Sequence, residues 1–130
     1  MNSKYLLKQI REVWIDAYLN GEVDWLSYLE SPSFFIKRGE ELISKSEQIS
    51  YIKRSRSKFP TKKQEGVEFR ESIIEIREHN GWSTIFGSAS FKRNGEIVSQ
   101  CNFFELWLII EERWQIASLC IEDFDQASEA

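Results

Sequence analysis

The sequence predicts an α+β domain in which a curved antiparallel sheet wraps around N-terminal helices. Three observations carry that prediction. Apolar residues recur with the period of a helix near the N-terminus and with the period of strands after Gly66. Two Asn-Gly pairs, Asn80-Gly81 and Asn94-Gly95, punctuate the second half at hairpin spacing. No internal repeat or linker divides the 130 residues, so residues 1–125 read as a single domain with a frayed acidic tail at 126–130. Helices followed by a run of strands give helices packed on one side of a meander.

Taken in order, Ser3 is placed to cap a first helix. Its apolar positions, Leu6, Leu7, Ile10, Val13, Trp14, Ala17 and Tyr18, share one face, and Asn20-Gly21 ends it. A second helix of two or three turns carries Val23, Leu26 and Leu29, with Trp25 and Tyr28 beside them, and stops before Ser31-Pro32-Ser33. Phe34-Phe35-Ile36 reads as a short strand broken at Gly39, with Leu42-Ile43 as its hairpin partner. Ser44 and Glu47 form a capping box for a third helix through Ile49, Tyr51 and Ile52, which ends by Phe59-Pro60 and is followed by a polar loop to Gly66.

Four antiparallel strands follow, over 67–78, 82–92, 96–110 and 114–121, with a third tight turn at Glu111-Glu112-Arg113. Val67 and Phe69 alternate in one phase and Ile74 and Ile76 in the other, so a β-bulge near Ser72-Ile73 bends the first of them. Residues 96–110 are apolar in both phases, Phe103, Trp107 and Ile109 against Phe104, Leu106, Leu108 and Ile110. Such a strand is covered on both faces. The helices cover one; Phe104, Leu106 and Leu108 on the other predict an interface, a second copy being the first candidate. A bent sheet over helices leaves a cone-shaped cavity, for which Trp14, Tyr18, Phe35, Phe69 and Trp107 are the expected walls. Small residues at Gly87-Ser88-Ala89-Ser90 leave room for an aromatic across the sheet.

Composition narrows the function. A net charge of −4 argues against general nucleic-acid binding. The charge is split, however: residues 37–63 hold nine basic and three acidic residues, a net +6, which leaves −10 for the rest. Lys53-Arg54-Ser55-Arg56 is an RNA- or anion-binding candidate, but a solvated helix face and loop is the favoured reading of this basic stretch. No apolar run reaches the length of a membrane span, and the N-terminus has no leader pattern, which predicts a soluble, cytoplasmic protein. Cys101 and Cys120 then read as buried thiols rather than a disulfide. The single histidine, His79, belongs to a turn, so neither a metal site nor any other cofactor is expected. Nucleotide-binding and nucleophile-elbow motifs are missing.

The order of elements resembles the nuclear transport factor 2-like superfamily, a cystatin-like fold that includes ketosteroid isomerase and the polyketide cyclases. The resemblance rests on the helix junction Val13-Trp14-Ile15-Asp16-Ala17-Tyr18-Leu19-Asn20-Gly21-Glu22-Val23-Asp24-Trp25-Leu26, the strand Phe34-Phe35-Ile36, the hairpin-to-helix run from Gly39 to Ile52, and the closing Arg113-Trp114-Gln115-Ile116-Ala117. It implies a carboxylate base late in the first strand and a tyrosine on the first helix if the chain is an isomerase. Aligned on Asn20-Gly21, those positions hold Arg38 and Trp14. A guanidinium accepts no proton at neutral pH and an indole N–H only donates.

Glu71 and Glu105 are the remaining acid–base candidates, because they share a phase with Phe69 and Phe103; exposure on the sheet is the competing reading. Arg70, Asn102 and Ser118 are further candidates for the pocket lining. Two functions follow. One is a non-catalytic domain acting by protein–protein association, as a homodimer or as an inhibitor of a basic partner in the manner of immunity proteins. The other is an isomerase, cyclase or carrier holding a small apolar ligand in the cone.

Overall fold

The computed structural model describes residues 6–56 and 66–124. Three helices, α1 (Leu7–Asn20), α2 (Val23–Leu29) and α3 (Lys45–Arg56), precede or interrupt six strands: β1 (Glu30–Arg38), β2 (Glu41–Ser44), β3 (Val67–His79), β4 (Trp82–Arg93), β5 (Glu96–Ile110) and β6 (Arg113–Asp123). The strands form one sheet in the order β2-β1-β6-β5-β4-β3. The expected meander β3–β6 is there, but the sheet is mixed: β1 lies parallel to β6. It joins the meander through a long connection, and strand direction leaves no trace in composition.

Each local signal has a visible cause. Gly21 ends α1 in the left-handed region at φ 66°, and its N–H donates to Ala17 O. The capping box is made on both sides: Glu47 N–H donates to Ser44 Oγ (3.2 Å) and Ser44 N–H to Glu47 Oε1 (3.0 Å). β1 starts four residues earlier than the sequence suggested. Pro32 is tolerated because its missing N–H falls in the gap between the Glu30–Ile116 and Phe35–Ser118 pairs, where the ladder is irregular. The first helix begins at Leu7 rather than running through Leu6, which is exposed. Ser3, Phe59-Pro60, the loop 61–65 and the tail 126–130 lie outside the described residues.

Among the described residues, three bulges bend the β3–β6 meander. Ile74 is unpaired between Ile73–Gly87 and Glu75–Phe86, one step from the position read in the sequence. Val98 and Ala117 are skipped in the same way on β5 and β6. Each extra residue sharpens the local twist. The concave face they create is filled by α1 and α2. Trp14, Leu26, Leu29, Phe34, Ile85, Trp107 and Ile116 are almost wholly buried there, and each contributes roughly 1.5–3 kcal/mol by leaving water. Trp14 meets Trp107 edge to face, centroids 5.8 Å apart. Gly87 lies under the Phe103 ring, the aromatic for which the small-residue run left room. Cys101 and Cys120 are free thiols. Among the described residues, no helix is long and apolar enough to cross a membrane.

Candidate functional site: the cone cavity and its arginine

The residues of β4 and β5 that point inward pair across the ladder as Gly87–Phe103, Ile85–Glu105 and Ala89–Cys101, which sets Glu105 in the middle of the concave face. Glu71 enters from β3, in phase with Phe69. Between them stands Arg11, projected from the second turn of α1 and buried. Its Nε and Nη2 donate to Glu105 Oε1 and Oε2 at 2.8 and 2.7 Å, a bidentate clamp. Nη1 and Nη2 donate to Glu71 Oε2 and Oε1 at 2.8 and 2.9 Å. Trp107 Nε1 adds a further hydrogen bond to Glu105 Oε1, at 2.9 Å. Burial alone disfavours the Arg11 charge, but the hydrogen bonds to Glu105 and Glu71 outweigh it and hold the guanidinium above its ordinary pKa.

Arg11 forms one end of a cavity of about 210 Å3, walled by Trp14, Tyr18, Phe69, Phe91 and Phe103 and edged by Arg38 and Arg93. Of the residues expected as walls, Trp14, Tyr18 and Phe69 border this cavity. Trp107 lies behind the wall, fully buried, with its indole on Glu105. Phe35 corrects an expectation: its register with Ser118 turns it to the convex face, where it is exposed. Arg38, at the position an isomerase base would take, is held by Asp123 through two hydrogen bonds of 2.6 and 2.8 Å. Tyr18 has no hydrogen-bond partner among the described residues, and burial raises its phenol pKa. Ser118 and Asn102 have the outward phase of β6 and β5, and Arg70 pairs with Glu68 in solvent. His79 stacks on Trp82 at 3.9 Å beyond the cavity.

All four carboxylate oxygens of Glu71 and Glu105 already accept from Arg11, and Glu105 Oε1 also from Trp107. The sequence carries a signal for Arg11 that is easy to pass over. It falls four residues after Leu7 and three before Trp14, so a cation interrupts the buried stripe while two carboxylates hold inward phases across from it.

A second buried carboxyl, Glu30, stands where α2 gives way to β1 and is 1% exposed. Its Oε2 accepts from Trp14 Nε1 (3.2 Å) and Gln48 Nε2 (3.1 Å). Glu30 Oε1 and Gln48 Oε1 are both buried without a hydrogen-bond partner among the described residues. Burial pushes the carboxyl up to about 7 against these two hydrogen bonds and the nearby Lys45 charge. Protonation removes the buried charge and turns one carboxyl oxygen into an O–H donor. Among the described residues, no cluster of side chains is arranged to hold a metal ion.

No family model matches the sequence, and no curated protein does. Solved structures match it along nearly the whole chain. It is similar to an NTF2-like protein from Cytophaga hutchinsonii, with TM-score 0.70 and 14% identity over 95% of this chain and 100% of that one. A protein of unknown function with a cystatin-like fold from Nostoc punctiforme gives TM-score 0.72 and 11% identity, over 95% and 96% of the two chains. A ketosteroid isomerase-like protein from Erwinia carotovora atroseptica gives TM-score 0.65 and 11% identity, over 92% and 94%. At these identities the likeness carries the fold: the chain is built on the NTF2-like, cystatin-like architecture that its sequence resembles. Function varies widely on such a scaffold and does not travel with it.

Proposed function

We propose that this NTF2-like chain is a non-catalytic binding domain that associates with a second copy of itself through the convex face of its sheet. The observation carrying the reading is the apolar surface there. Phe86, Phe104 and Cys120 stand in one cross-strand row, Leu106 and Phe35 in the next, and Trp82 and Leu108 in a third. Phe104 is 42% exposed, Trp82 41% and Phe35 37%. A contiguous patch of this kind at the centre of a sheet is characteristic of an interface. Its flanks suit a copy of the same face: Glu75 lies at the β3 end of the Phe86–Phe104–Cys120 row and Lys37 at the β1 end. A two-fold axis parallel to the strands would set each over the other. The commitment of Glu71 and Glu105 to Arg11 supports the absence of acid–base chemistry.

The test is sedimentation velocity or native mass spectrometry of the full chain. The wild type should be a dimer, and Phe104→Asp a folded monomer with an unchanged circular dichroism spectrum, because a buried unpaired carboxylate at the centre of an interface is strongly unfavourable. A wild type that stays monomeric at high concentration overturns the reading.

A small-molecule carrier is the second reading, favoured by the unpartnered Tyr18 hydroxyl in an aromatic-walled cavity. An extra mass of a few hundred daltons retained in native spectra and lost in Tyr18→Phe, with roughly that size set by the cavity class, supports it.

A further inference from the structure

We propose that the groove between α1, α2 and the β5–β6 turn is a docking site for an arginine-bearing basic segment of a partner protein. This surface is distinct from the convex sheet face. The groove encloses about 880 Å3, with Ile10, Val13 and Trp114 on its floor. Trp25 and Tyr28 stand over it about half exposed, their rings edge to face at 6.4 Å. The rim is acidic: Asp24 on α2, and Glu111 and Glu112 at the turn. None of these three carboxylates has an ion-pair partner among the described residues.

Two features say what chemistry fits. Arg113, in the same groove, lays its guanidinium 3.8 Å from the Tyr28 ring centroid and donates from Nη1 to Tyr28 O. The surface therefore already seats one guanidinium, within the chain itself. Trp25, a better cation–π acceptor than tyrosine, presents an indole with no such guest among the described residues. The second feature is the turn. Glu111 and Glu112 both occupy the left-handed region, at φ 52° and 66°, where the β4–β5 turn uses Asn94-Gly95. This two-residue turn sets the direction of both Cα–Cβ bonds, and both residues line the groove beside its apolar floor. An arginine stacked on Trp25 would direct its N–H groups at carboxylates that planar guanidinium binds well, while neighbouring apolar atoms cover Val13 and Ile10.

The probe is a fluorescein-labelled Gly-Arg-Arg-Leu-Arg-Gly peptide, titrated into the full chain by anisotropy, with the Lys-for-Arg peptide beside it. The expected result is saturable binding that weakens with salt and is weaker for the lysine peptide. Trp25→Ala should weaken the arginine peptide roughly tenfold, the loss of one desolvated cation–π contact. The double variant Glu111→Lys/Glu112→Lys should abolish binding. All these positions are exposed, and circular dichroism checks that each variant folds. Binding unaffected by Trp25→Ala, equal binding of the two peptides, or no saturation overturns the proposal. So does a groove filled by another copy, which indole N–H chemical shifts that move with protein concentration alone would reveal. Light scattering on the same samples reads the dimer independently, so failure of the groove and failure of the sheet-face interface are told apart.

Discussion

Arg11 concentrates the electrostatic risk of this core into one side chain. Its charge is stable only because Glu105, 1% exposed, and Glu71 surround it. Arg11→Met leaves Glu105 buried and unpaired, so unfolding stability should fall by about 3–5 kcal/mol in urea titrations. Arg11→Met/Glu105→Gln should recover most of that loss, because the neutral amide removes the stranded charge. Glu30 makes a prediction of opposite sign from a salt-bridged acid. Its folded pKa, about 7, lies above the unfolded carboxyl value of 4.5, so the folded state binds the extra proton between them. Its contribution is therefore full below pH 4.5, declines as pH rises, and is lost above pH 7. Glu30→Gln should flatten that part of the pH–stability profile and raise stability at pH 8, by on the order of 3 kcal/mol at most. A profile as steep in the variant as in the wild type would assign the slope to other groups. Neither residue was picked out from the sequence. Arg11 sits among the apolar positions of α1 as one cation among many, and Glu30 borders a Ser-Pro-Ser segment that reads as a loop.

At the scale of elements, hydrophobic periodicity and capping and turn signals located the helices and strands, even β3, of which only Val67 and Phe69 are half-buried. What they did not convey is how strands are joined across the chain. The β1–β6 pair depends on contacts between residues some eighty positions apart, and the bulges at Val98 and Ala117 fall in segments apolar in both phases, where a slip of one residue changes no pattern. Ile74 was legible because its strand does change phase there. Gly87 tests the curvature directly. A Cβ at this position would stand 2.5 Å from Ser72 O and 2.7 Å from the Phe103 ring, and the first of these is backbone that cannot swing aside. Gly87→Ala should destabilise by about 1–3 kcal/mol, readable as a lower melting temperature. If Phe103 must tilt, the cavity it walls should change shape as well, and amide shifts around Arg11 report that.

At the scale of the whole molecule, the two faces of one sheet divide the labour. The concave side is closed by helices and contains a charge network in which Arg11 clamps Glu71 and Glu105. The convex side is apolar and leaves Phe104 exposed among the described residues. The sequence displayed this division as a strand apolar in both phases, which is why Phe104, Leu106 and Leu108 were legible as sharing the face away from the helices. Phe35 was not, since the direction of β1 fixes which face it joins. Charge is divided too: basic residues gather on β1 and α3, and the groove at the β5–β6 turn is acidic. A partner bearing positive charge would be drawn to one end of the molecule before touching it, and faster at low salt.

The kink at Ile74 also governs what happens between molecules. β3 closes the sheet with thirteen residues whose outer hydrogen-bonding edge has no strand beside it among the described residues, long enough to template a strand from a neighbour and begin fibre growth. An incoming strand would lose step at the unpaired residue, and Glu68, Arg70, Glu75 and Arg77 would face their own kind in any parallel, in-register stack. The bend that hollows the sheet for its helices thus also keeps its open border from becoming a seed.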